Sequence, residues 1–359
     1  MLARKEILKV KSYIPGKPIE EVKRELGLRQ AIKMASNENA LPPSPRAVRA
    51  GRKALFSANR YPDGGCFYIK RALANNFKVK EENIIIGNGS DEIIILALRA
   101  FLKDKEEVVI AKPTFLIYEI ASKIAGAKIK SAPLKKFKAD IRGMAGLISK
   151  KTKLIFISNP DNPTGSYVTK KEIDFLVSRT PKNAILFFDE AYFEFAKDLR
   201  DFPNTMKYLD KRNVIISRTF SKAYSLAGLR IGYAFAGKNI IDCLNRVREP
   251  FNVNSIAQAA GLAALNDKNY MEKTLKNVRK GKSFICGELD SLGINYIPSV
   301  TNFVLFKIGK KAGIIYKKLL KKGIIVRDMS SWGLGSFLRV TVGTMAENRK
   351  FTKTLREVI

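Results

Sequence analysis

Short apolar runs alternate with helical stretches through much of the chain, and this alternation restricts the fold more than any other feature. Several runs are rich in β-branched residues, are too short for helices, and are bounded by Gly, Pro, Asn or Asp. They are Asn83–Ile86, Val108–Ala111, Leu154–Ser158, Ala184–Phe188, Val214–Ser217 and Leu229–Phe235. Helices are expected between some of them, over Ser90–Lys103 and Thr169–Ser178. The pattern predicts an α/β fold with a mostly parallel sheet that helices cover on both faces.

The pattern changes after about Pro250. Long helical stretches come first, and shorter strands follow them. The expected helices are Ser255–Leu265 and Tyr270–Leu289, and the expected strands are Thr301–Phe306, Gly323–Val326 and Phe337–Val342. We therefore expect two domains, a large one over residues 40–250 and a smaller α+β one from residues 1–39 plus 251–359.

The chain of 359 residues contains no histidine. This absence excludes Ser-His-Asp hydrolysis, Cys-His catalysis and histidine-ligated metal sites, and we expect no metal. Proton transfer at neutral pH must then use Lys, Tyr, Cys or a carboxylate of shifted pKa. Cys66, Cys243 and Cys286 show no metal-ligand or redox spacing, which is typical of reduced thiols in a cytoplasmic protein.

The net charge of +33 comes from 66 Lys and Arg against 33 Asp and Glu. Such a balance is compatible with a nucleic-acid-binding protein, but the basic residues are spread along the chain without a dominant block. A solvated, lysine-rich surface that attracts anionic substrates is the favoured interpretation, and no nucleic-acid partner is expected. No apolar run is long enough to span a membrane, and the first residues do not resemble a secretory signal.

Four local motifs follow predicted strands, and ligands bind at the carboxyl ends of parallel strands. The first, Gly87–Glu92, is a glycine-rich turn that opens a helix, with Ser90 and Asp91 expected at the N-cap. Free N–H groups and the helix dipole would favour a phosphate there, although such a turn is by itself more often only a turn. The second, Asn159–Gly165, is a rigid Asn-Pro loop that would aim an Asn side chain into the site.

The other two motifs supply charge. Asp189–Tyr192 follows the very apolar run Ala184–Phe188, so its carboxylate is expected to be partly buried and to need a cation such as a protonated pyridine nitrogen. A helix cap is the alternative interpretation of Asp189. The fourth motif places Lys222 and Arg230 eight residues apart among hydroxyl groups at a strand end.

Taken together, the motifs resemble those of the histidinol-phosphate aminotransferase family, nearly along the whole chain and in the family's order. They are Ser36–Asn39, Arg60–Asp63, Asn159–Gly165, Asp189–Tyr192, Ser221–Arg230 and Arg339–Thr344. That family belongs to the class I/II aminotransferases. The resemblance implies a fold-type I pyridoxal-phosphate-dependent transferase with a large, mostly parallel α/β domain and a smaller α+β domain.

The resemblance also implies roles for individual residues toward pyridoxal 5′-phosphate. Lys222 would hold the cofactor as a Schiff base and shuttle a proton, and Asp189 would pair with the pyridinium nitrogen. Tyr192 and Asn162 would bind the ring's O3′, and Phe115 would stack on the ring. The phosphate would be held by the amides of Ser90 and Asp91, by Thr219 or Ser221, and by Arg230.

Partners and substrates follow from the same resemblance. Tyr61 would reach the cofactor phosphate of a neighbouring subunit, which implies a homodimer with shared active sites. Arg327 and Arg339 would grip the anionic group of the substrate, while Tyr13 and Asn37 would help to close the site.

The expected reaction moves an amino group from glutamate to imidazole-acetol phosphate in histidine biosynthesis. A threonine-phosphate decarboxylase and an aromatic or broad-specificity aminotransferase stay open as alternatives on the same scaffold. A basic nucleic-acid-binding protein is a distant alternative, since it explains none of the four motifs.

Overall fold

The apolar runs form the strands of a large central sheet, and a computed structural model describes residues 2–8 and 10–359 of the chain. The strands are β1 Ile32–Lys33, β2 Ile84–Gly87, β3 Glu107–Lys112, β4 Lys128–Lys135, β5 Lys138–Ala139, β6 Thr152–Ser158, β7 Ile185–Asp189, β8 Val214–Thr219, β9 Gly232–Ala236, β10 Tyr296–Ile297, β11 Phe303–Lys307, β12 Ile324–Ile325, β13 Arg327–Asp328 and β14 Phe337–Thr341.

The helices carry the polar and amphipathic stretches between the strands. They are α1 Lys5–Leu8, α2 Ile19–Leu26, α3 Pro45–Leu55, α4 Phe67–Phe77, α5 Ser90–Phe101, α6 Leu116–Ile124, α7 Ile141–Gly146, α8 Lys170–Arg179, α9 Phe193–Ala196, α10 Lys238–Val247, α11 Ser255–Leu265, α12 Lys268–Ser291, α13 Ala312–Lys321 and α14 Met345–Val358.

The large sheet has the strand order β2-β9-β8-β7-β6-β3-β4-β5. Its central pairs from β8 to β4 are parallel, while β9 runs antiparallel to both of its neighbours and β5 runs antiparallel to β4. The predicted α/β fold with a mostly parallel sheet is therefore confirmed. The strand expected from Leu229 begins only at Gly232, because Ala227–Leu229 forms a 3₁₀ turn and Arg230 is left-handed with φ 53°.

Both faces of this sheet are buried, and alternate residues of each strand supply two separate cores. In β7, Leu186 and Phe188 pack under α4, α7, α8 and α11, whereas Ile185 and Phe187 pack under α5, α6 and α10. Burying one such side chain contributes about 1.5–3 kcal/mol to folding. Continuous apolar strands are thus what a sheet covered on both faces requires.

The smaller unit is α+β. Its antiparallel sheet has the order β10-β11-β14-β13 and packs against α12, α13 and α14. Near the N-terminus, β1 pairs with β12, and Met34 joins the same core. The domain boundary expected at residue 250 stays a prediction. Since Val253 and α11 belong to a core of the large sheet, the contacts favour a boundary after Leu265.

The predicted N-cap at Ser90 and Asp91 is wrong by one residue. Gly89 occupies the cap position with φ 79°, and α5 begins at Ser90 without a side-chain cap. A Cβ at Gly89 would lie 2.5 Å from Nη2 of Arg230. Glycine is therefore needed here both for the left-handed backbone and for the close approach of the arginine.

Two features are absent from the part of the chain that the structure describes. No helix there is long and apolar enough to cross a membrane. Nor do those residues bring together three or more acidic or cysteine side chains that could hold a metal ion. The cysteines Cys66, Cys243 and Cys286 are free thiols.

A buried ion pair links the ends of β7 and β8. Nε and Nη2 of Arg218 donate to Oε2 of Glu190 at 2.9 and 2.8 Å, and Thr205 donates to the other carboxylate oxygen at 2.5 Å. The guanidinium also lies 3.4 Å from the ring centroid of Phe193. The pair stands directly beside the strand ends that carry Asp189 and Thr219.

We expect Glu190→Gln to lower the free energy of unfolding by about 3–5 kcal/mol, because it removes the carboxylate that pairs directly with the buried Arg218 charge. Urea unfolding followed by circular dichroism measures this loss. Glu288→Gln is the matched control, since its pair with Arg356 lies at the surface and contributes little. Equal unfolding midpoints for the two variants would contradict the prediction.

Candidate active site

The four motifs meet at a cavity of about 350 Å³ at the carboxyl edge of the parallel strands. Most of the predicted site residues line it. They are Tyr13, Ser90, Asp91, Phe115, Asn162, Asp189, Tyr192, Thr219, Ser221, Lys222 and Arg230. A larger groove of about 880 Å³ lies elsewhere on the surface, but it contains none of these residues. The chemistry of the lining, and not the volume, identifies the site.

Lys222 is a buried amine in this cavity. Its Nζ donates to the backbone oxygen of Ser36 at 3.2 Å. Burial, and after it the positive charge of Arg339, lower the pKa of Lys222 to about 8. About half of the amine is therefore neutral at pH 8, and the neutral form is the one that acts as a nucleophile.

Asp189 is a buried carboxylate, only 4% exposed. The hydroxyl of Tyr118 donates to it at 2.6 Å and the backbone N–H of Ala191 at 3.1 Å. Burial raises the pKa of Asp189 to about 6. In the described part of the chain, no Lys or Arg nitrogen lies within 4 Å of this carboxylate.

The surroundings of Asp189 separate the two interpretations that the sequence left open. The helix that follows, α9, begins at Phe193 and has Tyr192 at its N-cap, so Asp189 is not a helix cap. A buried carboxylate without a cationic partner fits a ligand that brings its own positive charge. A protonated pyridine nitrogen is such a charge.

Tyr192 and Asn162 are held by residues from the smaller sheet and the N-terminal segment. Nδ2 of Asn37 donates to the Tyr192 hydroxyl at 2.7 Å, and Nη1 of Arg339 donates to Oδ1 of Asn162. Burial raises the pKa of Tyr192, so its hydroxyl keeps its proton. The predicted residue Asn37 does not line the cavity but reaches it through Tyr192.

The other end of the cavity is suited to a phosphate. The helix α5 starts at Ser90, so the first amides of the helix are free for a ligand. Arg230 lies against them, with Nη1 3.4 Å from Oγ of Ser221 and Nη2 3.3 Å from a carboxylate oxygen of Asp91. A helix N-terminus, a hydroxyl and a guanidinium are the groups that bind phosphate in proteins.

These observations fit pyridoxal phosphate, the cofactor that the sequence motifs imply. A single cavity contains the amine of Lys222, which can lose its proton, and the buried carboxylate of Asp189, which has no cationic partner. The start of α5 adds groups suited to a phosphate. Phe115 lines the same cavity, where its side chain could stack on one face of the cofactor ring.

The two predicted substrate arginines lie beside the cavity rather than in its lining. Arg327 on β13 and Arg339 on β14 are opposite each other in the antiparallel register, and both are buried. Arg327 donates to the backbone oxygen of Ile14 at 2.6 Å, and Arg339 donates to that of Ala35 at 3.2 Å. Tyr13 connects them to the site, since its ring lies 5.8 Å from the Arg327 guanidinium carbon.

Tyr61 is the predicted residue that stands apart. Its side chain is 83% exposed, stacks on Phe251 with ring centroids 4.7 Å apart, and does not line the cavity of its own chain.

Sequence reasoning missed two hydrogen-bond partners of Asp189 and Lys222. Tyr118 lies three residues after Phe115 on α6, one helical turn further on, and this spacing was a usable signal. The contact of Lys222 with Ser36 had no such signal, because it uses a backbone oxygen.

Comparisons with known proteins point to one family of enzymes. The family model for aminotransferase class I and II matches residues 29–355. A histidinol-phosphate aminotransferase of Moorella thermoacetica is 44% identical over 99% of this chain and 92% of its own length. A second, from Carboxydothermus hydrogenoformans, is 42% identical over 100% of this chain and 99% of its own length.

A solved structure is also similar. The histidinol-phosphate aminotransferase of Sinorhizobium meliloti, crystallised in complex with pyridoxal 5′-phosphate, superposes with a TM-score of 0.91 at 27% identity and covers 100% of this chain and 98% of its own. An aspartate aminotransferase of Thermus thermophilus, at 20% identity and a TM-score of 0.86, shares the fold over 99% of both chains. This chain belongs to the class I and II aminotransferase family.

Proposed function

We propose that the chain is a pyridoxal-phosphate-dependent aminotransferase that transfers an amino group from glutamate to imidazole-acetol phosphate. The products are histidinol phosphate and 2-oxoglutarate, and the pathway is histidine biosynthesis. The observation that carries the proposal is the cavity shared by Lys222, an amine of lowered pKa, and Asp189, a buried carboxylate without a cation. Full-length relatives named histidinol-phosphate aminotransferase support the choice of substrate.

When bound, pyridoxal phosphate supplies an aldehyde that condenses with amines and a ring that takes up electrons from the substrate's Cα. Lys222 would hold the aldehyde covalently through its ε-amine. After the substrate's amino group replaces it, the free Nζ would move a proton between the substrate's Cα and C4′ of the cofactor. Both tasks need the neutral amine, and the low pKa of Lys222 supports them.

Asp189 would hold a proton on the ring nitrogen by pairing with it. The carboxylate lies in a buried environment where a charge interaction is strong. Hydrogen bonds from Tyr118 and from the Ala191 amide orient it and leave it free to accept from a ligand. Tyr118 is therefore a positioning residue in this proposal.

The ring would be fixed from its side and its face. Tyr192 and Asn162 would bind O3′, and Phe115 would stack on the ring. The hydrogen bond from Asn37 to Tyr192 and the one from Arg339 to Asn162 set the positions of these two side chains before any ligand arrives. Such preorganisation reduces the entropy lost on binding.

The phosphate would bind at the start of α5. Its ligands would be the amides of Ser90 and Asp91, the hydroxyl of Thr219 or Ser221, and the guanidinium of Arg230. All five residues line the same end of the cavity.

Arg327 and Arg339 would bind the anionic group of each substrate in turn, the phosphate of histidinol phosphate or a carboxylate of glutamate. Both arginines are buried, and no carboxylate of the described chain lies within 4 Å of either guanidinium. Tyr13 would cover the bound substrate, and Asn37 would act through Tyr192.

We further propose that the enzyme is a homodimer and is located in the cytoplasm. A homodimer with shared active sites accounts for the exposed Tyr61, which would reach the cofactor phosphate of the neighbouring subunit. A cytoplasmic location agrees with the free thiols of Cys66, Cys243 and Cys286.

The proposed substrate is tested by mixing the purified holoenzyme with one amino donor at a time. Histidinol phosphate and L-glutamate should each convert the cofactor from its aldehyde to its amine form, which absorbance reports. L-threonine phosphate should release no CO₂. Release of CO₂ together with no conversion by histidinol phosphate would instead favour the threonine-phosphate decarboxylase, and fast conversion by phenylalanine alone would favour an aromatic aminotransferase.

Asp189→Asn should still bind the cofactor but lose on the order of 4 kcal/mol of transition-state stabilisation, about a thousandfold in kcat, because a neutral amide cannot keep the ring nitrogen charged. Tyr118→Phe is the matched variant, since it removes one hydrogen bond but keeps the carboxylate. We expect it to lose only about tenfold. Single-turnover rates measure both, and near-normal turnover by Asp189→Asn would exclude the pyridinium role.

The rate at which cofactor-free protein captures pyridoxal phosphate should rise with pH, reach half of its maximum near pH 8, and level off above about pH 9. Only the neutral amine of Lys222 reacts, and its lowered pKa places this plateau well below the ordinary lysine range. Arg339→Gln should move the plateau to higher pH, because a charge that lowers the pKa of Lys222 is lost. Lys222→Ala should give no borohydride-trapped adduct by mass spectrometry. A rate that still climbs at pH 10 in the unsubstituted protein would refute the assignment.

A further inference from the structure

Trp332 is the only tryptophan of the chain and lies against both substrate arginines. It ends the 3₁₀ turn Ser330–Trp332, between β13 and β14. The centroid of its ring lies 5.0 Å from the guanidinium carbon of Arg327 and 5.9 Å from that of Arg339. The indole is 6% exposed.

The positive charges of Arg327 and Arg339 repel each other, and the indole of Trp332 reduces this repulsion. Arg327 and Arg339 are direct cross-strand neighbours, and like charges in that position destabilise a sheet. Burial lowers the pKa of Arg339 to about 10, and Arg327 contributes to the lowering. The π face of Trp332 attracts both cations and so offsets part of their repulsion.

In the described part of the chain, the two arginines have no anionic partner, and some buried N–H groups around them have no acceptor. Within residues 2–8 and 10–359, the only hydrogen-bond acceptors of the two guanidinia are neutral, namely the backbone oxygens of Ile14 and Ala35 and the side-chain oxygen of Asn162. In the same part of the chain, Nε1 of Trp332 and Nε of Arg339 are buried and donate to no acceptor. Buried N–H groups without an acceptor are rare, and each one calls for a partner that a ligand can supply.

The position of Trp332 connects these donors to the substrate. Trp332 lines a cavity of about 670 Å³ together with Tyr13 and Phe115. Both of these residues also line the cavity of Lys222. The cavity that the indole lines therefore adjoins the cavity of Lys222, since the two cavities share these residues.

We propose that Trp332 is a specificity-determining residue that favours a phosphate over a carboxylate in the anion site. Its ring holds the two guanidinia together, and its Nε1–H donates to one oxygen of the substrate's anionic group, which displaces the Ile14 carbonyl from Arg327. A phosphate offers two charges and three terminal oxygens to two cations and a third donor. A carboxylate offers one charge and two oxygens, so it uses the indole donor less. The inference rests on the proposed function for its substrate.

The first test compares Trp332→Phe with the unsubstituted holoenzyme in the two half-reactions. Phenylalanine keeps an aromatic face and removes only the N–H donor and part of the ring. We expect kcat/KM for histidinol phosphate to fall about tenfold or more, and that for L-glutamate to fall by a clearly smaller factor. Phe337→Leu is the matched control, because Phe337 belongs to the same small apolar cluster but has no donor. Equal losses for both substrates, or the same ratio change in Phe337→Leu, would overturn the proposal.

A second test needs no turnover and therefore separates this inference from the proposed function. Tryptophan emission of the holoenzyme, in which the cofactor fills its own phosphate site, reports on Trp332 alone. Inorganic phosphate should change the emission saturably and at a lower concentration than acetate at equal ionic strength. Emission that does not respond, or that responds equally to both anions, refutes the role of Trp332. If phosphate changes the emission but histidinol phosphate is not converted, the proposed substrate is refuted, while the preference of the anion site for phosphate is supported.

Discussion

The register between three parallel strands determines where the chemistry of this protein can occur. In the ladder, Ser158 of β6 stands opposite Asp189 of β7, and Asp189 stands opposite Ser217 of β8. Since the strands run in the same direction, the loops that follow them leave from one edge and carry Asn162, Asp189 and Lys222 into one cavity. A shift of one residue in β7 would turn Asp189 to the opposite face of the sheet and remove it from the site.

Burial then gives the cavity its reactivity. It lowers the pKa of Lys222 to about 8 and raises that of Asp189 to about 6, so both groups move toward their neutral forms. For the amine this is useful, because the neutral form reacts. For the carboxylate, burial destabilises the charged form, and a cationic ring nitrogen would stabilise it again. The same low dielectric therefore prepares one group to attack and makes the other favour a charged ligand.

Much of this arrangement could be predicted from the sequence, because strand-end motifs and apolar runs are local signals. The bounds of β6, β7 and β8 were predicted within two residues, and the expected bounds of α11 were correct. The strand β4, which is second from one edge of the sheet, was not predicted, since its lysines and proline hide the apolar alternation. The antiparallel direction of β9 depends on a turn that has no strong sequence signature. Contacts made through backbone atoms or across domains, such as Lys222 with Ser36, have no local pattern at all.

In the proposed function, Arg339 would couple substrate binding to the reactivity of Lys222. It donates to Asn162 in the large unit and to the backbone of Ala35, and its positive charge is one of the causes that lower the pKa of Lys222. In the proposed function, an anion bound at Arg339 would offset this charge, so the pKa of Lys222 would rise with the substrate in place. Lys222 would then be a weak base while its amine is free to capture the cofactor, and a stronger base when a Cα proton has to be removed. A chain without histidine would obtain both behaviours from one lysine, because the substrate would supply the second charge.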